Sequence, residues 1–471
     1  MNEDQVKLTR WIRGSAYATT ISGLLTVLYA GILPFFLHQF DGFYRNRQDT
    51  DAAVREIQLQ TRLQNYFYLL AAVFLCLALW TMSVRFCSTL NRGESSKWWP
   101  TNRVANRWTA GMILGVVTGL GVFISSREWN HAGQPCWDDY CTYTECIAQW
   151  LSVRTRESFD LLWQFMRGYD HANSPMGPLL FAVVKNATGM DVTTAYQTTN
   201  LLATLGAALI LWRGLIAPGR YGGFLEGMLL LMFGTNLVVV RCCFFPQTDA
   251  LVLFWMTALL AIALARMKQP KFVYDIGAGL LLISGLFVKL SFLPCLALIP
   301  LWRLLDGWLK RTFRSRKDSV IWAACFGREL FLFVFIPVAV FLNYQHLFGL
   351  WGMFIVELHA MKMADTFFPF KVMSLVHATA FFLILICLGR KRLGSSDAFL
   401  LAAAALYLLS LWFSSASGWD RFYLPLIPPL CTVAARGLVA VQEMGGARLV
   451  AIFVILAALL NYFMLEFWLF Y

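Results

Sequence analysis

Long apolar segments recur along almost the whole chain, separated by short polar stretches. Their lengths, roughly 16 to 24 residues, are close to the ~20 residues that an α-helix needs to cross a bilayer. The pattern predicts an all-α, multi-pass integral membrane protein. We predict about thirteen spans, at 14–37, 66–88, 108–125, 195–213, 222–240, 248–266, 273–288, 290–305, 329–348, 372–390, 397–414, 422–441 and 448–470.

The apolar run 273–305 is interrupted by a single charge, Lys289. We predict two short spans there, because a charged side chain is costly in the middle of a span. One continuous helix would instead reverse the orientation of every later span.

Composition supports the membrane assignment, with 58% hydrophobic and only 14% charged residues. The net charge of +12 is explained by orientation, since basic residues mark the cytoplasmic side of membrane proteins. The basic runs 303–328 and 390–392 fall on one side of the predicted topology, together with the N-terminus. We therefore place the N-terminus in the cytoplasm and predict no nucleic-acid partner.

Three loops on the opposite, outer side are long, at 38–65, 126–194 and 349–371. The largest, 126–194, mixes apolar and polar residues over 143–166, a pattern typical of helices that lie in the membrane interface. Segment 176–188 is apolar but too short to span, so we expect a buried or interfacial helix of this loop.

The adjacent carboxylates Asp138 and Asp139 lie in this outer loop. They are candidates for a general base or a metal ligand, and the alternative is a solvated pair. Lys289 and Arg421 could bind a phosphate; the alternatives are a snorkelling lysine and an ion pair between Arg421 and Asp420. Asp249 has either a functional role or the role of a helix N-cap.

The unusual polar residues all map to the outer side of the predicted topology. They are Asp138, Asp139, His171, Asp249, Lys289, His359, Lys362, Asp420 and Arg421. A transporter more often places its charges near the bilayer midplane, so the pattern favours an enzyme that works at the outer surface. No nucleotide-binding loop is present in a fitting context, which indicates a lipid as the activated donor.

Four motifs of this chain resemble, in the same order, those of the GT-C superfamily of polytopic glycosyltransferases. They are Trp137-Asp138-Asp139-Tyr140, the stretch from Asp170-His171 to Leu180, Gln247-Thr248-Asp249-Ala250, and the pair formed by Gly285-Leu286-Phe-Val-Lys289 and Arg421-Phe422-Tyr423-Leu424-Pro425. The resemblance is to the branch of protein O-mannosyltransferases and of bacterial transferases that put aminoarabinose on lipid A. The chain departs from that branch where an Asp replaces the Glu of its acid pair, and where Ala-Asn-Ser interrupts its Pro-Pro.

The resemblance covers about residues 108–441 and implies a GT-C fold with a large first catalytic outer loop. We expect 1–107 to be an N-terminal two-helix addition, 108–441 the catalytic core and 442–471 a C-terminal transmembrane helix. The implied activity is transfer, with inversion, of a hexose or pentose from a polyprenyl (undecaprenyl or dolichyl) phosphate to an acceptor hydroxyl. The acceptor would be a glycan, a lipid or a protein, reached from the outer face.

The resemblance also implies roles for individual residues. Asp138 or Asp139 would be the base, and Lys289 and Arg421 would bind the donor phosphate. Loop 349–371 would close over the site. The residues that would contact substrate are Tyr140, His171, Asp249, His359, Lys362 and Asp420. No cofactor is predicted firmly and no metal ligand is assigned, because metal dependence varies within the superfamily. We favour the bacterial inner (plasma) membrane over the endoplasmic reticulum.

Two other classes of function stay open at this point. A transporter or flippase of lipid-linked sugars would move its substrate without forming a glycosidic bond. An enzyme like an O-antigen ligase or polymerase would depend on loop Arg and His more than on an acid pair. Separately, Cys136, Cys141 and Cys146 surround the acid pair, and a disulfide among them, or with Cys242 or Cys243, would brace it in an oxidising compartment.

Overall fold

The all-α prediction is confirmed wherever the chain is described. The computed structural model describes residues 138–153, 155–167, 174–219, 221–244, 248–309, 316–347, 368–412 and 420–469. Within these ranges every regular element is a helix. The first three predicted spans and the predicted boundary at residue 107 lie outside the described residues.

Three helices of the predicted outer loop form a small packed unit. They are α1 (Asp138–Val153), α2 (Arg156–Arg167) and α3 (Met176–Thr188). Tyr143 and Ile147 of α1 are buried together with Ala182 of α3. The Asn186 side chain donates a hydrogen bond to the carbonyl of Ala148 over 2.8 Å. The helical reading of 143–166 and 176–188 is therefore confirmed, and α3 has the predicted bounds.

The remaining helices form the main body. They are α4 (Val192–Ile210), α5 (Gly223–Gly234), α6 (Leu237–Phe244), α7 (Asp249–Lys268), α8 (Phe272–Val288), α9 (Leu298–Leu309), α10 (Arg316–Leu330), α11 (Ile336–Leu347), α12 (Phe368–Gly389), α13 (Ser395–Trp412) and α14 (Ile427–Leu469). Within α14 two helical segments meet at a kink at Gly446, whose φ is 72°, between the predicted spans 422–441 and 448–470. One π-helical turn extends α4 and another joins α10 to α11, and 3₁₀ turns Leu290–Ala297 and Asp420–Leu426 precede α9 and α14.

Five stretches in the described part are long and apolar enough to cross a membrane. They are Val192–Gly219, Asp249–Lys268, Leu290–Gly307, Ser319–Leu347 and Tyr423–Asn461. The chain is thus a multi-pass membrane protein.

The predicted span 222–240 is two helices, α5 and α6, separated at Asn236. The Asn236 Oδ1 accepts a hydrogen bond from the Val238 amide at 3.1 Å, and its Nδ2 donates to the Ala378 carbonyl of α12 at 3.0 Å. An asparagine side chain that binds the nearby backbone replaces helical hydrogen bonds and begins a new helix. Apolar periodicity alone did not reveal this break.

The chain reverses direction at Lys289, as two separate spans require. Lys289 has extended backbone angles (φ −165°, ψ 138°), and Phe292 folds back so closely on Gly285 that a Cβ at Gly285 would overlap its ring. Arg303, in the middle of α9, pairs with Glu329 at 3.2 Å, and Glu329 also binds Arg266 in the last turn of α7. The chain therefore runs back along α9, away from Lys289 and towards Arg266. This confirms that 273–305 contains two elements and is not one continuous helix.

The helices have two polar ends, named here by their central cations. At the Arg266 end, Arg266 binds Asp275 of α8 at 2.6 Å and Glu329 of α10 at 2.7 Å. At the Lys289 end, the chain passes from α8 into α9. The Arg266 end also carries the basic turn Arg390–Arg392 and the pair of Arg436 with Asp397 (3.0 Å). It is the end that the sequence predicts to be cytoplasmic.

Candidate active site

The centre of the Lys289 end is an ion pair between two of the predicted site residues. The Lys289 Nζ lies 2.6 Å from Asp249 Oδ1, and the two side chains are 19% and 6% exposed. Helices α7 and α8 run antiparallel, so the first residue of α7 meets the residue that follows α8. Two motifs that lie 40 positions apart in the sequence thus meet in space.

Asp249 is not the N-cap of α7. The cap position belongs to Thr248, whose side chain makes no capping hydrogen bond. The Asp249 carboxylate is instead in the first helical turn, where the helix dipole favours a negative charge, and it binds Lys289. The interpretation of Asp249 as a simple helix cap is therefore wrong.

The second carboxylate oxygen of Asp249 is left open. Asp249 Oδ2 is buried and has no hydrogen-bond partner among the described residues. Buried polar atoms are nearly always paired, so an oxygen of this kind marks a place where a further group fits. Tyr407 of α13 is buried and lies close to Ser291, Cys295 and Asp249.

Two further motifs converge on the same place. Gly177, at the start of α3, contacts Thr248 so closely that a Cβ there would overlap the threonine side chain. The 3₁₀ turn Asp420–Leu426 packs against α6 and α7, with Tyr423 and Leu424 fully buried. Segments from separate parts of the sequence therefore meet around the N-terminus of α7.

Helix α1, which begins at the acid pair, is linked to this end by aromatic contacts. Thr144 shares a 2.8 Å hydrogen bond with the hydroxyl of Tyr196, and Tyr196 stacks on Phe181 of α3 at 3.6 Å. Burial raises the pKa of Tyr143 far above its ordinary value, and the nearby Tyr344 adds to the rise.

Tyr344 continues the link from α1 towards Lys289. Its ring meets the edge of Phe287 with 5.0 Å between centroids, and Phe287 is two residues before Lys289. The chain of contacts therefore runs from the first turns of α1 through α11 to the ion pair.

The predicted site residues fall into three groups. Asp249 and Lys289 are brought into contact. Asp138, Asp139 and Tyr140 lie in the first turn of α1, and Asp420 and Arg421 begin the 3₁₀ turn beside α7; for these the structure gives positions along a helix. His171, His359 and Lys362 lie outside the described residues.

Cys146 does not take part in the disulfide that was suggested as a brace for the acid pair. In the described part, Cys146 and Cys243 are free thiols, and Cys243 donates to the Thr204 hydroxyl at 3.2 Å. Cys136 lies outside the described residues. No group of three or more His, Cys, Asp or Glu side chains that could hold a metal ion occurs in the part of the chain that the structure describes.

Sequence reasoning missed several polar residues at this end. They are Thr248, Ser291, Gln345 and Tyr407. Each lies in or beside an apolar segment, and Gln345 is 0% exposed. A polar side chain within a predicted span is itself a functional signal, and inside 329–348 Gln345 shares this signal with Asn343 and His346. The structure separates them, because Gln345 is buried and the other two are exposed.

Comparisons with known proteins give similarity at the level of structure. No family model matches the chain, and no curated protein matches it. Among solved structures, the crystal structure of ArnT from Cupriavidus metallidurans bound to undecaprenyl phosphate is similar, with 15% identity and a TM-score of 0.48. The match covers 70% of this chain and 59% of that chain, so this chain spans less than two thirds of its length.

An identity of 15% and a TM-score below 0.5 assign neither a substrate nor an activity to this chain.

Proposed function

We propose that the chain is a glycosyltransferase that moves a sugar from a polyprenyl phosphate to an acceptor hydroxyl. The observation that carries the proposal is the ion pair of the buried Asp249 with the partly buried Lys289, at 2.6 Å. It joins two motifs of the resemblance at one polar end of an otherwise apolar helix bundle. A cation at that depth suits the phosphate of a lipid whose chain lies between helices.

Lys289 binds the donor phosphate and stabilises its charge as the lipid phosphate leaves. A lysine ammonium has three donors, and Asp249 accepts one of them and fixes the direction of the ammonium. Donors held in place before the reaction stabilise developing charge well, because they need no reorganisation. Arg421, at the start of the turn beside α7, supplies a second cation for the same phosphate.

Asp139 takes the proton from the acceptor hydroxyl in this proposal. The acceptor oxygen then forms a bond to the anomeric carbon, and the bond from that carbon to the phosphate oxygen breaks, with inversion. Position 139 is four residues before the buried Tyr143, so both positions share one face of α1. Tyr143 on this face lies near Tyr344, whose ring contacts Phe287, two residues before Lys289. We therefore assign the base to Asp139 rather than Asp138.

The test replaces each acid singly in the full-length, membrane-inserted protein. Asp139→Asn should reduce transfer of labelled sugar from a polyprenyl phosphate by at least about 100-fold, and Asp138→Asn should reduce it less. The matched control is Glu145→Gln on the same helix, since Glu145 is exposed and pairs with Lys185 at 3.6 Å; it should keep full activity.

Two outcomes would overturn the proposal in different ways. Full transfer by both Asp138→Asn and Asp139→Asn would remove the acid pair from the mechanism. Movement of the lipid-linked sugar across a vesicle membrane, with no new glycosidic bond, would favour the transporter instead.

A further inference from the structure

Gln345 of α11 has a buried side-chain amide, and neither its oxygen nor its nitrogen is hydrogen-bonded within the described part of the chain. The residue is 0% exposed, and neither its Oε1 nor its Nε2 has a hydrogen-bond partner among the described residues. The amide offers one acceptor and two donors. A side chain this deep and this unsatisfied needs an explanation other than packing.

The position of Gln345 follows from the way α8 and the α10–α11 segment run side by side. At one end Asp275 of α8 and Glu329 share the Arg266 guanidinium. At the other end, Phe287 of α8 meets Phe341 at 5.7 Å and Tyr344 at 5.0 Å. Asp275 and Phe287 are twelve residues apart, as are Glu329 and Phe341. The two segments are therefore parallel and in register.

This register carries Gln345 to the depth of the ion pair. Gln345 is four residues beyond Phe341, so it lies about one helical turn further along the same face of α11. Lys289 is two residues beyond Phe287 on α8. Gln345 therefore lies at the Lys289 end, on the helix face that meets α8, within about one helical turn of the depth of Lys289.

The open atoms at this end belong to two different chemical types. Asp249 Oδ2 is an anionic acceptor beside a cation, which suits a proton donor such as a second cation, while an anionic phosphate would face the Lys289 ammonium. Gln345 is neutral and can donate and accept at once. That combination matches the hydroxyl or amino groups of a sugar ring, each of which also donates and accepts.

We propose that Gln345 is a specificity-determining residue that binds the sugar of the lipid-linked donor, while Lys289 binds its phosphate. This inference rests on the proposed function and names the part of the donor that each residue recognises. An apolar replacement should remove recognition of the sugar and leave binding of the bare lipid phosphate intact.

The experiment compares two kinds of probe on the purified full chain. The probes are undecaprenyl phosphate alone and undecaprenyl phosphate carrying mannose, glucose or aminoarabinose. The wild type should bind at least one sugar-bearing probe more tightly than the bare phosphate. Gln345→Met, which is similar in shape and apolar, should lose that preference, about 10-fold in affinity, and bind the bare phosphate as the wild type does.

Asn236 provides the matched control for a buried amide with a structural role. Its amide is fully engaged by Ala378 and Val238, so Asn236→Leu should lower the thermal stability without changing the preference among probes. Gln345→Met should keep or raise the thermal stability, because it removes an unsatisfied buried group.

Each other result overturns the inference. If Gln345→Met still prefers a sugar-bearing probe to the bare phosphate, the amide does not bind the sugar and binds only trapped water. A loss of stability as large as that of Asn236→Leu, with equal weakening for every probe, would mean a structural role. Equal affinity of the wild type for bare and sugar-bearing probes would show that the site does not read the sugar, and the proposed function would stand. No binding of any probe by the wild type would remove the proposed function as well.

Discussion

The two polar ends of the helix bundle use charge in different ways. At the Arg266 end, each buried carboxylate contacts two guanidinium groups: Asp275 binds Arg266 and Arg328, and Glu329 binds Arg266 and Arg303. At the Lys289 end, Asp249 contacts a single described cation, keeps one oxygen open, and lies near the depth of the open amide of Gln345.

The difference distinguishes a structural role at the Arg266 end from the binding role that we propose for the Lys289 end. The Arg266 network ties together α7, α8, α9 and α10, so its charges stabilise helix–helix packing. Among the described residues, Glu329 Oε2 at this end also has no hydrogen-bond partner, but its carboxylate contacts two guanidinium groups. At the Lys289 end, Asp249 contacts one ammonium group and the Gln345 amide has no described partner. Unpaired buried polar atoms lower stability and call for an explanation, which the proposed ligand supplies at the Lys289 end.

The largest expected effect tests the structural end. Arg266→Met should destabilise the protein by about 3 kcal/mol, because it breaks two ion pairs at once, although Asp275 keeps Arg328 and Glu329 keeps Arg303. Thermal unfolding of the purified protein in detergent measures the loss. Lys289→Met should lower the unfolding temperature by clearly less, since it breaks one described ion pair, with Asp249, where Arg266→Met breaks two. Equal losses for the two variants would erase the distinction between the ends.

The second effect concerns the close contact of α12 with α14 near the Arg266 end. A Cβ at Gly437 would overlap the Leu385 carbonyl, so the backbones touch there, as small residues allow in membrane helices. Gly437→Ala should destabilise by about 1–3 kcal/mol through overpacking. Gly279→Ala on α8 has open space around the new methyl group and should stabilise slightly. A neutral Gly437→Ala would show that this crossing is looser than described.

These contrasts also show what the sequence could and could not reveal. Hydropathy predicted the helices and the reversal at Lys289, and the basic loops anticipated the Arg266 end. The break at Asn236 was missed, because it depends on a hydrogen bond to Ala378, 142 positions away. For the same reason, the sequence left Asp249 as either a functional residue or a cap, and Lys289 as either a phosphate ligand or a snorkelling lysine. Only the antiparallel packing of α7 and α8 shows that they bind each other.

The smallest expected effect lies at the N-terminus of α4, beside the Lys289 end. The Asp191 carboxylate accepts hydrogen bonds from the Thr194 amide (3.0 Å) and hydroxyl (2.6 Å), which lower its pKa. Asp191→Ala should destabilise by about 1 kcal/mol at neutral pH.

The sign of its pH dependence follows from the lowered pKa. The stabilisation by the Asp191 carboxylate is fully present above the pKa that Asp191 has in the unfolded chain, ~4. It is lost as the pH falls through the lower pKa that Asp191 has in the folded protein. The unfolding temperatures of the wild type and Asp191→Ala should therefore converge as the pH falls below ~4. A gap that stays constant with pH would show that the carboxylate charge has no part in the cap.

Affinity for undecaprenyl phosphate tests the central claim, that the Lys289 end binds a lipid phosphate, most directly. The measurement compares the purified wild type, Lys289→Met and Lys268→Met. Lys268 is the matched control, because it is exposed in the last turn of α7, at the opposite end of the helix that begins with Asp249. We predict that the wild type and Lys268→Met bind equally and that Lys289→Met binds at least about 10-fold more weakly. Equal binding by all three proteins, or no binding by the wild type, would contradict the account.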